Sequence, residues 1–261
     1  MPLPPDFRES IPAELRTADW DAVSAALRRR AFFMASVDQA NILQAFRTAS
    51  AAMAEGRLSP QEARRLLRAA LALFRYTPEE GKEGTLQDLR SVRRMNVTLE
   101  TNTQMVHGWA NYQAQLADTA YPGQELYRLV SARQPRDWAA RWREAAASVG
   151  WQGVAKNGSM IALVTSPVWV ALSRFGNPYP PFDFGSGMDV RPVSFLRCQE
   201  LGLVTKNTAT EQQQALARSM AEGPNANVQA AAHVDGDLRA SLARELDGVA
   251  EFDAGGVLRM L

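Results

Sequence analysis

SPVWVALSRFGNPYPPFDFGSGMDV, residues 166–190, decides the fold class of this chain. Ser166 can cap a short helix, Pro167 suits its first position, and Gly176 stops it. Beyond Gly176 the chain cannot continue as helix. Residues 177–190 hold three prolines, two glycines, three aromatic rings and two aspartates. Proline fixes φ and withdraws a donor, so Pro178, Pro180 and Pro181 stiffen an extended path. Gly185 and Gly187 permit a turn, and Tyr179, Phe182 and Phe184 offer rings for burial on more than one face. Three readings compete: a catalytic loop, a metal loop, or a clasp that closes a small domain. Asp183-Phe184-Gly185 mimics the magnesium-binding triplet of protein kinases, but neither a glycine-rich loop nor an H-R-D segment precedes it. A calcium loop needs oxygen ligands at its third and fifth positions. After Asp183 those are Gly185 and Gly187, and after Asp235 the fifth is Arg239. The clasp reading survives, with the segment pinning the end of an α+β domain to a long helix.

Working outward, the chain changes texture twice. Residues 19–118 read as helix. Asp19 or Asp21 caps a segment through Val23, Leu27 and Phe32 toward Ile42, Phe46 and Met53, with Gly56 as its stop. Ser59, Pro60 and Glu62 form a capping box that opens the next helix, striped by Leu67, Ala70, Leu71 and Phe74. A long helix is expected from Thr85, paired with Asp88, to about Asp118. Its buried face would carry Leu89, Val92, Leu99, Val106, Trp109 and Leu116. Beyond Gly123, Leu126–Ser131 and SMIALV (159–164) read as strands. PRDWAARWREAAASVG reads as a helix with Trp138 and Trp142 on one side, and Val190–Val193 is a short apolar piece before a helix ending at Leu201-Gly202-Leu203. From Lys206 the composition turns polar and small, with eight acids against five bases. Leu238, Leu242 and Leu246 mark one helix there, and the last ten residues a hairpin or strand. The expected fold class is α+β: an N-terminal helical arm (1–84), an α+β domain (85–205) and a loosely attached tail (206–261).

Several function classes fail on inventory. One cysteine, Cys198, excludes internal disulfides and argues against a cysteine zinc site. Only His107 and His233 are present, and no G-x-S-x-G elbow surrounds a serine. A Cys198–histidine pair is disfavoured because a lone cysteine on the apolar side of a short helix belongs to the core. No P-loop or dinucleotide fingerprint occurs. The expectation is therefore no catalytic residue, no metal and no cofactor. MPLPPDFRES lacks a signal-peptide pattern and no apolar run is long enough for a bilayer, which predicts a soluble intracellular protein without membrane contact.

Net charge is +1, so nothing in the totals marks a nucleic-acid binder. Arginine clusters do recur on the helices: Arg28, Arg29 and Arg30; Arg64, Arg65 and Arg68; Arg90, Arg93 and Arg94. A solvated helical face is their ordinary role. If several line one surface, Arg64, Arg68, Arg90, Arg93 and Arg94 are candidate phosphate or partner contacts, and DNA a candidate ligand.

One resemblance covers about residues 85–203. A long helix with LETNTQMVHGWANYQ is followed by ELYRLVS, a tryptophan-rich segment, SPVWVALSRFG and NPYPPFDFGSGM. This order resembles the phage Mu F-type head morphogenesis (minor capsid) proteins of tailed phages and prophages. Thr101, Gly108 and Gln113 match the family's helix pattern, Tyr127 its aromatic strand, Pro167 and Trp169 its P-x-W, and Pro180, Pro181 and Phe182 its closing loop. Two motifs depart. The family's D-x-R-x-R-P-x-H stands here as SARQPRDW, and its terminal C-x-C is replaced by Ser186-Gly187-Met188. The resemblance implies a non-enzymatic minor virion protein, partnered by the portal and other capsid proteins and found in the virion and, during assembly, the host cytoplasm.

Overall fold

The computed structural model describes residues 8–131, 135–151, 158–222 and 238–261. The chain has an α+β fold. In chain order the elements are β1 (Glu9–Ser10), α1 (Thr17–Asp21), α2 (Ala25–Arg30), β2 (Ala31–Phe32), α3 (Ala40–Ala54), α4 (Pro60–Leu73), α5 (Val92–Ala117) and β3 (Gly123–Arg128). Next come α6 (Trp138–Ser148), β4 (Ile161–Leu163), α7 (Val168–Leu172), β5 (Met188–Val193), α8 (Phe195–Glu200), α9 (Thr208–Glu222), α10 (Leu238–Glu245), β6 (Ala250–Phe252) and β7 (Leu258–Met260). They form two compact units, one of Met1–Val106 with Ala231–Leu261 and one of His107–Ala230. This division differs from the expected boundaries after residues 84 and 205.

In the first unit the expected helix from Asp19 to Met53 is broken. Ala31 and Phe32 leave helical geometry to pair in parallel with Glu9 and Ser10, and Ser36 sits at φ +56°. The physical reason is that the segment's apolar residues serve two cores. Trp20, Val23 and Leu27 pack with Ile11, Leu15 and the C-terminal leucines. Phe32, Met34, Ile42 and Phe46 pack instead with Leu67, Leu71, Met95 and Leu99. One straight helix could not reach both. The capping box at α4 forms as expected: Glu62 N donates to Ser59 Oγ at 3.3 Å, and Ser59 N donates back to Glu62 Oε2 at 2.9 Å. Gly56, at φ +71°, closes α3.

Helix α5 begins at Val92, not at Thr85. Ser91 Oγ accepts from Arg94 N at 3.1 Å, a better N-cap than Thr85, whose hydroxyl accepts from Gln87 N instead. Val92, expected on the buried face, is exposed, whereas Leu89, Leu99, Val106, Trp109 and Leu116 are buried as expected. Asp88 organises the turn before the helix. Burial opposes its ionisation, but the amides of Gly84 and Arg90 donate to it and hold its carboxyl below the usual range. Asp19, Glu62 and Asp253 are also held low, mainly by hydrogen bonds from Arg16, Ser59 and the Val257 amide respectively. A depressed folded-state pKa contributes stability that is present above the unfolded value of about 3.9 and lost as pH falls through the folded value. The first unit is thus expected to lose stability below about pH 4. The urea midpoint measured by circular dichroism should fall there, with a shallower slope in Asp88→Asn.

The tail is not loosely attached. Leu238, Leu242, Leu246, Ala250 and Leu258 are buried against Ile11, Ala13, Leu15 and Trp20. Leu258 N donates to Pro12 O and Glu14 N to Leu258 O, both at 2.9 Å. Strands β6 and β7 form the expected hairpin. Arg259 pairs with Asp253 at 2.9 Å, Asp38 at 3.3 Å, and Glu14. Arg239 Nε donates to Glu9 at 2.6 Å. The polar stretch before α10 hid this docking, because its partners, Ile11, Ala13, Leu15 and Trp20, lie near the other end of the sequence.

The second unit is built on a three-stranded antiparallel sheet of order β4-β3-β5. Strand β3 starts at Gly123 and ends at Arg128, earlier than expected. Pro192 lies in β5 at the sheet edge, where a missing N–H is tolerated. Gly123 leaves space for buried Cys198, since a Cβ there would stand 2.4 Å from its Sγ. Helix α9, absent from the sequence expectation, packs Ala215 and Leu216 against Trp109, Tyr112 and Leu116. Its Gln212 Nε2 donates to Gln115 O at 2.8 Å and Asp118 O at 2.9 Å, satisfying carbonyls at the end of α5. No helix among the described residues is long and apolar enough to cross a membrane.

Candidate functional site

The clasp carries the densest chemistry of the second unit. Arg174 N donates to Phe182 O at 2.8 Å and Asn177 N to Ser173 Oγ at 3.2 Å, so the loop is tied to the end of α7. The Pro180–Pro181 bond is cis. Phe182 is fully buried and stacks on Trp169, with centroids 5.8 Å apart. Trp169 meets Trp142 edge-on at 5.0 Å, and Trp142 meets Trp151 at 5.8 Å. Trp169 Nε1 donates to Leu163 O at 2.9 Å, which joins this aromatic row to β4. Gly187, at φ +63°, accepts from Leu129 N at 2.9 Å and Val130 N at 3.0 Å. A side chain there would strike Val130 O at 2.5 Å.

The other side of the clasp reaches α5. Tyr179 lies against Tyr112, with centroids 5.7 Å apart. A Cβ on Gly108 would stand 2.0 Å from Pro180 O and 3.1 Å from Tyr179 Cδ2. Alanine in place of glycine inside a helix normally gains up to about 1 kcal/mol. Here the new methyl would meet backbone, so Gly108→Ala is expected to give a net loss of about 1–3 kcal/mol in urea unfolding. Beside this contact lies an open cavity of about 460 Å³, lined among others by Gly108, Tyr112, Gln115, Asp118, Tyr179 and Asp189. Among the described residues no lysine or arginine lines it.

A charged centre sits at the far end of the clasp. Asp183, with its side chain 8% exposed, faces three guanidinium groups. Arg141 Nη1 donates to Asp183 Oδ2 at 2.7 Å, while Arg136 Nε and Arg174 Nη1 stand 3.7 Å from the carboxylate. Phe184 N donates to Asp183 Oδ1 at 2.8 Å. The kinase-like triplet is therefore an ion-pair hub. Spacing could not reveal it, because Arg136 and Arg141 come from the start of α6 and Arg174 from the end of α7. A tryptophan helix flanked by arginines was the available signal.

The residues expected from sequence divide between the units. Thr101 is buried in the first half of α5. Gly108 and Gln113, also buried, lie in its second half, and Tyr127, Pro167, Trp169, Pro180, Pro181 and Phe182 fall in the same unit. Tyr127 lies under the Arg191 guanidinium at 5.6 Å. Of the candidate phosphate contacts, Arg64 Nη1 donates to Asn96 at 3.0 Å and Arg94 Nη2 to Ala35 O at 3.2 Å. Burial pulls the Arg94 pKa down. Arg90 stands 3.5 Å from Asp88, and Arg68 and Arg93 are exposed. The Arg29 side chain, His233 and Asp235 lie outside the described residues. Cys198 is buried and its thiol pKa is raised by burial, a core position. His107 is exposed on α5. Among the described residues no three His, Cys, Asp or Glu side chains form a metal-holding group. Comparison of the chain with protein-family models, curated proteins and solved structures finds no match.

Proposed function

We propose that this protein is a structural component of a tailed-phage or prophage particle. It is a minor head protein that docks at the portal vertex and assists head assembly, DNA packaging or DNA delivery, without a catalytic role. Its place is the virion and, before assembly, the host cytoplasm. The observation that carries the reading is the fit of Gly108 to Pro180. These residues come from the two most separated motifs of the Mu F-type pattern, and the missing Cβ on one is what admits the carbonyl of the other. Two further framework residues, Trp169 and Phe182, stack on each other on the opposite side of the same loop. The cavity beside Gly108 offers a concave, aromatic-lined surface of the kind a partner segment occupies.

Co-expression with a tailed-phage portal protein, followed by size exclusion, tests the proposal. Co-elution and a fixed small copy number in purified particles are expected. Absence from particles together with separate elution would end this reading.

A further inference from the structure

We propose that Arg136, Arg141 and Arg174 form a phosphate-binding site around Asp183. This inference is independent of the head-protein reading, since it rests on charge and geometry within the second unit. Three guanidinium groups converge on the one carboxylate of Asp183. The arginine side chains are 43%, 28% and 34% exposed, while Asp183 is 8% exposed. The carboxylate is thus the floor of the cluster, and the guanidiniums form a rim that solutes can reach.

The rim is held in place before any ligand arrives. Arg136 Nη2 donates to Phe184 O at 2.9 Å, and Arg141 Nη2 donates to Leu172 O at 3.3 Å. The Arg141 guanidinium lies over the Trp138 ring at 4.4 Å, and that of Arg174 over the Phe184 ring at 5.5 Å. Fixed, planar donor forks lower the ordering cost of binding and suit a tetrahedral oxyanion that can accept several hydrogen bonds at once. The position a ligand carboxylate would take against Arg141 is already filled by Asp183. A phosphate at the rim adds oxygens without displacing it. Such a group comes either as inorganic phosphate or as the backbone of a nucleic acid.

The full chain is titrated with inorganic phosphate against chloride at matched ionic strength, and with a short fluorescent oligothymidylate. Phosphate should raise the unfolding midpoint saturably in the wild type. Arg136→Gln and Arg174→Gln should each weaken its binding by about tenfold, the loss of one charge-assisted contact. Arg136→Gln leaves the Arg141–Asp183 pair intact, and Arg136→Lys keeps the charge without the fork and should show an intermediate loss. If the nucleic-acid backbone is the ligand, the oligonucleotide affinity should fall with salt at a slope near 2, for three contacts at about 0.7 each, and each glutamine variant should lower that slope by about 0.7. Phosphate binding without oligonucleotide binding assigns the free anion. No binding of either by the wild type overturns the proposal. So does stabilisation equal in the wild type and the glutamine variants, because phosphate also strengthens apolar burial in general.

Discussion

Phe182→Ala is expected to lower the stability of the second unit by about 3–5 kcal/mol. The ring is fully buried and packs among Trp138, Trp142, Trp169, Leu172 and Met188. Removing it takes away the transfer energy of the ring and leaves a cavity. That cavity cannot close easily, because its walls are fixed: Trp169 is held by its bond to Leu163 O, and the Phe182 carbonyl by Arg174 N. Phe182→Leu, which keeps most of the volume, should cost under about 1.5 kcal/mol. Tryptophan fluorescence is a suitable probe, since five of the six tryptophans belong to this unit. A urea-derived loss within about 0.5 kcal/mol, the range of ordinary surface substitutions, would refute the clasp.

Local signals with local partners were legible in the sequence. The Ser59–Glu62 box needs only residues three apart, and Trp138 and Trp142 needed only helical spacing to be placed on one face. The proline-aromatic clasp was also readable, because proline, glycine and buried rings leave few conformations open. Readings failed where a distant partner decides the outcome. Ala31 and Phe32 look helical until β1 supplies a strand to pair with, and Thr85 looks like a cap until Ser91 proves better placed. The tail looked detached because its leucines find their core among residues 11–27. Helix α9 was hidden for a related reason: it buries mostly small and polar groups, Ala215, Gln212 and Ser219, which leave no apolar stripe to read. The Asp183 cluster depends on three arginines from two helix ends, a juxtaposition no spacing rule contains.

Asp183→Ala should be the other severe substitution in the same unit. The carboxylate accepts from Arg141 Nη1 and Phe184 N, and also faces Arg136 and Arg174. Its removal leaves an amide without its acceptor and three cations repelling one another. Breaking a buried pair by deleting one partner costs about 3–5 kcal/mol. Water reaches all three arginines here, which places the expected loss at the lower end, about 3 kcal/mol. The size of the effect also separates two roles for the cluster. If Asp183 acts only through its bond to Arg141, Asp183→Ala and Arg141→Leu should be strongly non-additive, with the double variant close to either single one. If repulsion among the arginines dominates, Arg136→Gln in the Asp183→Ala background should restore stability, whereas in the wild type it should be nearly neutral or harmful. Inorganic phosphate should then restore part of the loss in Asp183→Ala as well, by supplying the missing negative charge. A double variant whose losses simply add, with no recovery in phosphate, would show that Asp183 does not organise the three arginines.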